Sequence, residues 1–291
     1  MEQIIDLLDL LKEVVINLVA SLVYAALAFL VVYFYNAISK WFYKRKFYKS
    51  TRLDINKKDE KYYIKCNMAN SGRYDESENV YLGYPFEYMS AASINSYLSM
   101  MVKIVDMESH PCPLKVNEIA KIDKTKDLIL LGGPFHNILT KLFFGLIKDK
   151  TNLPLYFDTF EGEEATLFYK ENNQTEYKKA KPLKDMVGNY YCEDYGLIIN
   201  IKNPYNPKKR IIALMGCRSI GVLGATLAFT TFNKEIFKKV KDDQYAVIVK
   251  CYGDRNNVDV DRPIEFVTSI ALNDLKIDDL INIVDRETIS I

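Results

Sequence analysis

Hydrophobic and polar positions divide the chain into one long apolar run near its start and a series of short ones after residue 80. From Val14 to Tyr35 (VVINLVASLVYAALAFLVVYFY), 22 successive positions carry no charge, and only Asn17 and Ser21 are overtly polar. As a helix this run is roughly 33 Å long, the thickness of a bilayer's hydrocarbon core. Tyr33, Tyr35, Trp41, Phe42 and Tyr43 gather at its C-terminal end, where amphipathic rings settle at lipid headgroups. Ahead of it, MEQIIDLLDLLKE (residues 1–13) sets Ile4, Ile5, Leu7, Leu8 and Leu11 apart from Glu2, Asp6, Asp9 and Glu13, the pattern of a short amphipathic helix. That helix either lies on the outer surface or continues the spanning helix as a contact between copies.

Beyond the run, Lys40, Lys44, Arg45, Lys46, Lys49 and Arg52 follow with no acid among them. Short basic flanks stay inside, so the expected arrangement is a single pass through the cell membrane, N-terminus outside and everything after residue 40 in the cytoplasm. A signal peptide would carry its basic residues before the apolar run and would be shorter; a buried hairpin helix is the other alternative. Ala20, Ser21, Ala25, Ala26 and Ala28 are small enough to let neighbouring helices approach, and a homo-oligomer is expected.

The soluble part reads as a connector over residues 47–79, with one short strand or a functional loop, followed by an α/β domain over 80–291. Residues 1–46 are the anchor and its basic flank. Three places share one grammar, a short apolar run broken by glycine before helical spacing begins. The first is Leu82-Gly83-Tyr84-Pro85-Phe86, leading into a helix over 86–102. The second is DLILL, then Gly132-Gly133-Pro134, then a helix over 135–148. The third is RIIALM, then Gly216-Cys217-Arg218-Ser219-Ile220-Gly221-Val222-Leu223-Gly224, then a helix over 225–240. Three such elbows predict a mainly parallel sheet flanked by crossover helices. Proline suits a helix's first position, where its missing N–H is no loss. Between residues 153 and 203 the runs LPLYF, ATLFYKE and YGLIINIK alternate like strands, and predict an antiparallel hairpin insertion closed by the rigid turn Asn203-Pro204-Tyr205-Asn206-Pro207. Hydropathy over 211–232 imitates a second span, but Arg218 and three glycines near its centre argue against one. A last strand is expected over 245–251, before the charged loop GDRNNVDVDRP.

Composition narrows the classes. With 49% hydrophobic and 26% charged residues among 291, the chain is neither disordered nor collagen-like. Its net charge of +1 conceals two unlike parts: residues 1–52 hold seven basic and four acidic side chains, a balance of +3, which leaves −2 for the rest. Long nucleic acid, which needs a broad basic surface, is not an expected partner. Cys66, Cys112, Cys192, Cys217 and Cys251 lack metal-like spacing, and only two histidines exist, so no metal is expected and the thiols should be free.

At the carboxyl ends of parallel strands, loops lead into helix N-termini whose N–H groups and dipole favour phosphate, and glycine lets a ligand approach the main chain. The candidate ligand-binding residues are therefore Gly83, Gly132, Gly133, Asn137, Thr140, Gly216, Arg218, Ser219, Gly221 and Gly224. The expected partner is a small phosphorylated or nucleotide-type ligand, with no other cofactor. Turn geometry alone also accounts for such glycines, and Ala225-Thr226 stands where a Walker loop needs Lys-Ser/Thr. No catalytic residue is assigned. His136 as a general base, and Glu87 or the Glu161-Glu163-Glu164 cluster as a carboxylate for N-glycosidic cleavage, are weighed against structural and solvated roles. The 21 tyrosines fit interfaces and base stacking without proving either.

The stretches GGPFHN (132–137) and DYGLIINIKNPYNPKKRIIALMGCRSIGVLGATLAF (194–229) resemble a group of prokaryotic Rossmann-like domains with a GGPxxN elbow, an NPxNP turn and a GCxxxG elbow, related to nucleotide-sensing and nucleotide-processing domains of antiphage effectors. The resemblance covers roughly residues 80–270 and marks Gly132, Gly133, Asn137, Asn203, Asn206, Gly216 and Gly221 as motif positions. Val222-Leu223 stands where a threonine often follows in that group. The resemblance and the residues together imply a membrane-anchored cytoplasmic sensor or effector, in which a nucleotide-type ligand, including cyclic oligonucleotides, drives oligomerisation that acts on the membrane, with antiviral defence as a setting. The alternatives are a membrane-tethered nucleotide or nucleoside hydrolase or transferase, and a scaffold with no ligand.

Overall fold

The structure is a computed structural model that describes residues 2–51, 61–65, 69–70, 73–75, 80–82, 87–88, 91–106, 110–113, 125–134, 137–146, 153–158, 165–171, 174–184, 190–231, 238–254, 257–259 and 261–273. The chain forms two compact units, Met1–Lys49 and Ser50–Ile291.

The first unit is helix α1 (Glu2–Thr51), 50 residues without a break, or about 75 Å at the α-helical rise. The amphipathic start and the apolar run are thus one helix. Its segment Leu11–Phe42, 32 residues with a mean hydropathy of 2.5 and no part buried, is long and apolar enough to cross a membrane. Side chains such as Leu22 and Phe29, 63% and 71% exposed, form a continuous apolar surface, of the kind that marks a contact with protein or membrane. The hydroxyl of Ser21 donates to the Asn17 carbonyl at 2.8 Å, so it is satisfied inside the helix. At the basic end, Arg45 lies over the Trp41 ring, 5.3 Å from its centroid, one helical turn away.

The second unit is a mixed α/β domain. Its elements in order are β1 (Lys61–Lys65), the short strands β2 (Ala69–Asn70), β3 (Arg73–Asp75), β4 (Val80–Leu82) and β5 (Glu87–Tyr88), helix α2 (Ala91–Asp106), β6 (His110–Pro113), β7 (Leu128–Leu131), α3 (Ile138–Phe144), β8 (Leu155–Asp158), β9 (Thr166–Glu171), β10 (Gln174–Lys179), β11 (Lys181–Lys184), β12 (Tyr190–Asn203), β13 (Asn206–Gly216), α4 (Ser219–Thr230), β14 (Tyr245–Asp254) and β15 (Glu265–Ala271). The main sheet runs β15-β14-β12-β13-β7-β1-β6, with β11 also on β12. Strands β13, β7, β1 and β6 pair in parallel, whereas β11, β12, β14 and β15 join by antiparallel pairings. The expected mainly parallel sheet is therefore a mixed one.

The pairings explain the difference. The Asn203 to Pro207 turn closes no insertion: Pro204-Tyr205 is the tip of a hairpin that joins β12 to β13 and reverses the chain. Asn203 accepts the Tyr205 N–H at 2.9 Å and donates to the Lys126 carbonyl at 2.7 Å, while Asn206 donates to the Thr125 carbonyl at 3.1 Å. These two motif asparagines pin the hairpin to the chain entering β7. YGLIINIK consequently belongs to β12, in the middle of the main sheet, and the separate antiparallel sheet of the expected insertion is made of β8, β9 and β10. The first elbow also differs from its expected form: β4 pairs with β3 in an isolated two-stranded ribbon, and α2 begins at Ala91. Conversely, the segment 47–79 contributes β1, paired on both edges within the main sheet.

Both faces of the sheet are covered. On one, Leu197, Ile199, Ile201, Ile211, Ala213 and Met215 pack with Leu139, Phe143 and Phe144 of α3 and with Leu155, Phe157, Leu167 and Tyr169 of the three-stranded sheet. On the other, α4 is buried over ten of its twelve residues, so its apolar composition reflects a core helix, not a span. At roughly 1.5–3 kcal/mol for each large apolar side chain buried, this double burial is what orders the central strands. The end of the sheet opposite the β7 and β13 elbows carries a charge cluster in which Arg210 donates to Asp243 at 2.7 Å and Lys202 pairs with the same carboxylate at 3.2 Å.

Candidate functional site

Because β7 and β13 run in parallel, with Leu131 opposite Leu214, the second and third elbows lie side by side at one edge of the sheet. The N–H of Gly132 donates to the Leu214 carbonyl at 2.9 Å and carries the pairing into the elbow itself. Gly132 has φ 105, a backbone conformation that a side chain would strain, so the turn from β7 toward α3 depends on glycine there. Gly133 differs: among the described residues, a Cβ at that position meets only the Gly216 carbonyl, at 4.0 Å.

Asn137 and Thr140 hold this elbow closed on itself. The Asn137 side chain accepts the N–H groups of Leu139 and Thr140 at 3.1 and 3.4 Å and donates to the Leu131 carbonyl at 3.0 Å. That is N-capping of α3, with a tether back to the end of β7. The Thr140 hydroxyl donates to the Gly132 carbonyl at 3.0 Å. Both side chains are buried.

The third elbow shows what the sequence reading missed. Asp194 on β12 is fully buried and aims its carboxylate at the start of α4. It accepts the N–H groups of Tyr195 at 2.7 Å, Arg218 at 3.2 Å and Gly221 at 2.5 Å. The protein's own carboxylate thus occupies the place beside the helix N-terminus that favours an anion. The glycines there serve close packing. A Cβ on Gly216 would strike the backbone of Gly221 and Val222, one on Gly221 would strike the Tyr195 carbonyl, and one on Gly224 would meet Cys251. Ser219 opens α4, and Arg218, half-buried at its N-cap, has its guanidinium drawn below the ordinary arginine value by desolvation. Cys217 is buried and donates to the Lys178 carbonyl of β10 at 3.4 Å, which brings the three-stranded sheet up to this elbow.

The signal that could have found Asp194 is strand alternation. Cys192, Asp194, Gly196, Ile198 and Asn200 fall on one face of β12, and an acid at such a position needs donors. Past Gly216, which pairs with Gly196, β12 and β14 continue beyond the end of β13 and carry a second group that sequence reading did not single out. Tyr191 donates to Asp259 at 2.5 Å, Tyr195 donates to Glu193 at 2.7 Å, and Lys250 pairs with Glu265 at 2.8 Å. Arg262 stacks over Tyr252 and Tyr191 at 4.8 and 5.5 Å. Burial, with the bond to Asp259, pushes the Tyr191 hydroxyl up to about 12. The same two causes, with Glu193 as the partner, raise Tyr195. The bond to Asp259 and the stacking of Arg262 tie these two residues to β12 and β14.

Among the described residues, no group of three or more His, Cys, Asp or Glu is placed to hold a metal ion. Cys192, Cys217 and Cys251 are buried free thiols, and burial pushes the Cys251 thiol up. Gly83, His136, Glu161, Glu163 and Glu164 lie outside the described residues, and Glu87 falls in β5, off the main sheet. No model of a known protein family matches the chain, and no curated protein matches it.

Proposed function

We propose that the chain is a single-pass, membrane-anchored cytoplasmic sensor or effector whose α/β unit binds a small nucleotide-type ligand at the Gly132-Gly133-Pro134 elbow, and whose anchors associate when the ligand binds. The observation that carries this reading is the order of the parallel strands, β6-β1-β7-β13. From β1 the chain passes through α2 to β6 on one side; from β7 it goes on toward β13 on the other. In open Rossmann-like sheets ligands bind where the order reverses in this way, outside the carboxyl ends of the two strands. Here that position is the end of β7, at the glycine whose surroundings leave the backbone open to a ligand. The resemblance of the two elbows to nucleotide-sensing Rossmann-like domains supports the same reading. The basic flank of α1 supports a cytoplasmic second unit.

Ligand binding acts on the membrane only if it favours the associated state over the separate one, because equal affinity for both shifts nothing. The test is a panel of mono-, di- and cyclic oligonucleotides added to the full chain in nanodiscs, with thermal stability and product formation both measured. A ligand at 100 times its Kd adds about 2.7 kcal/mol, a rise of roughly 5–10 °C for a unit of this size. Such a rise without product is the expected result, whereas turnover supports the hydrolase or transferase and no response supports the scaffold. Vesicles that stay sealed in the presence of a stabilising ligand would remove the membrane-disrupting part of the proposal.

A further inference from the structure

The outer face of the three-stranded sheet has no role in the site above. Leu155, Phe157, Leu167 and Tyr169 point into the core, so the alternate positions point away from it. One row of these is aromatic across all three strands: Tyr156 lies opposite Phe168, and Phe168 opposite Tyr177. Tyr156 and Phe168 stack at 5.0 Å with an interplanar angle of 11°, and Phe168 lies 6.0 Å from Tyr177. Tyr177 is 58% exposed, on the outer strand of the sheet.

The neighbouring rows are polar and carry a cation each. Lys170 with Thr175 lies on one side of the rings, and Lys179 with Thr166 and Asp158 on the other. Both lysines are exposed. Rows two residues apart along a strand are about 7 Å apart, one nucleotide's reach. We propose that this face is a stacking platform for a short single strand of nucleic acid, whose bases lie on Tyr177 and Tyr156 and whose phosphates meet Lys170 and Lys179. Aromatic rings on adjacent strands are sequence-tolerant stacking surfaces, and flanking cations supply the backbone attraction. A few nucleotides need only this local pair of cations, not the broad basic surface that a duplex requires. The site is independent of the glycine elbow.

The experiment is fluorescence polarisation of labelled uridine and adenosine hexamers with the full chain in zwitterionic nanodiscs, at low and at physiological salt. The expected result is salt-sensitive binding that Tyr177→Ala weakens roughly tenfold, that Lys170→Glu with Lys179→Glu makes nearly independent of salt, and that Gly133→Val leaves unchanged. Tyr177 is mostly exposed, so its truncation should leave the circular dichroism spectrum as it is, which is checked alongside. Absence of hexamer binding at low salt, or binding indifferent to Tyr177→Ala, overturns the proposal. So does a loss in Gly133→Val, which would place the strand at the elbow. A hexamer response that is absent while Tyr177→Ala weakens attachment to anionic vesicles would mark the face as a lipid contact and overturn it too.

Discussion

The two elbows at the edge of the sheet are built from the same ingredients and come out differently. Each has a buried strand, one or more glycines, and a helix whose first turn is capped. At β13 to α4 the backbone N–H groups and the glycines are used by the protein itself: Asp194 takes the N–H groups of Arg218 and Gly221, and the glycines bring α4 down onto β12 and β14. At β7 to α3 the cap comes from Asn137, yet among the described residues a Cβ on Gly133 would meet no atom nearer than 4.0 Å. A glycine can be required because another part of the chain lies against it or because nothing does, and only the second kind leaves space for a ligand.

The contrast can be broken by substitution. The largest effect is expected for Gly221→Val, whose side chain would overlap the Tyr195 carbonyl; it should cost about 4 kcal/mol or more, enough that little folded protein is recovered in urea titrations. Asp194→Ala takes the acceptor from three N–H groups, two of them buried, and should cost about 3 kcal/mol by the same measurement. Asn137→Ala removes a cap and its tether to β7, for about 1–2 kcal/mol. Asp243→Asn tests the opposite edge of the sheet. Burial alone would raise the Asp243 carboxyl, but the bonds from Arg210 and Lys202 hold it below the ordinary carboxylate value. A depressed folded value stabilises above the unfolded one, near 3.9, and the contribution is lost as pH falls through the folded value. The variant should therefore be less stable by about 1 kcal/mol at pH 7, with the difference constant from pH 5 to 8 and shrinking below about pH 4. The smallest effect is expected for Gly133→Ala, within about 0.5 kcal/mol, as at an open surface position.

Hydropathy made the long apolar helix legible because a helix able to cross a membrane needs one long uninterrupted apolar run, whereas the second candidate run, over 211–232, is broken by Arg218 and three glycines. The second elbow was legible as strand, glycine turn and helix, although the helix is Ile138–Phe144 and not 135–148; in the third the strand was legible, but the helix begins at Ser219, inside the expected glycine loop of 216–224, and ends at Thr230. Strand direction was not. Leu197 to Ile201 and Ile211 to Met215 are buried on both faces, and a run buried on both faces reads the same in a parallel as in an antiparallel sheet. The direction was settled by Pro204-Tyr205, two residues too few for a crossover, which read instead as the end of an insertion. In the connector, one short strand or a functional loop was expected; what was not legible is that Lys61–Lys65 lies within the main sheet, because lysines at its ends give it the look of a linker. Within the candidate site the glycines were found by type, but their two meanings depend on what packs above them, which is a property of β12 and β14 and not of the loop. Asn137 and Thr140, expected as groups for a base, sugar or phosphate, bond to Leu131, Leu139 and Gly132 in their own elbow.

The most direct test of the account is nucleotide titration of the full-length Gly133→Val chain beside the wild type, followed by thermal denaturation in nanodiscs. The account predicts a midpoint without ligand within about 3 °C of wild type and loss of the nucleotide-dependent rise. A variant that folds normally and is stabilised by nucleotide as much as the wild type would contradict it, because the open glycine elbow would then have no part in holding the ligand.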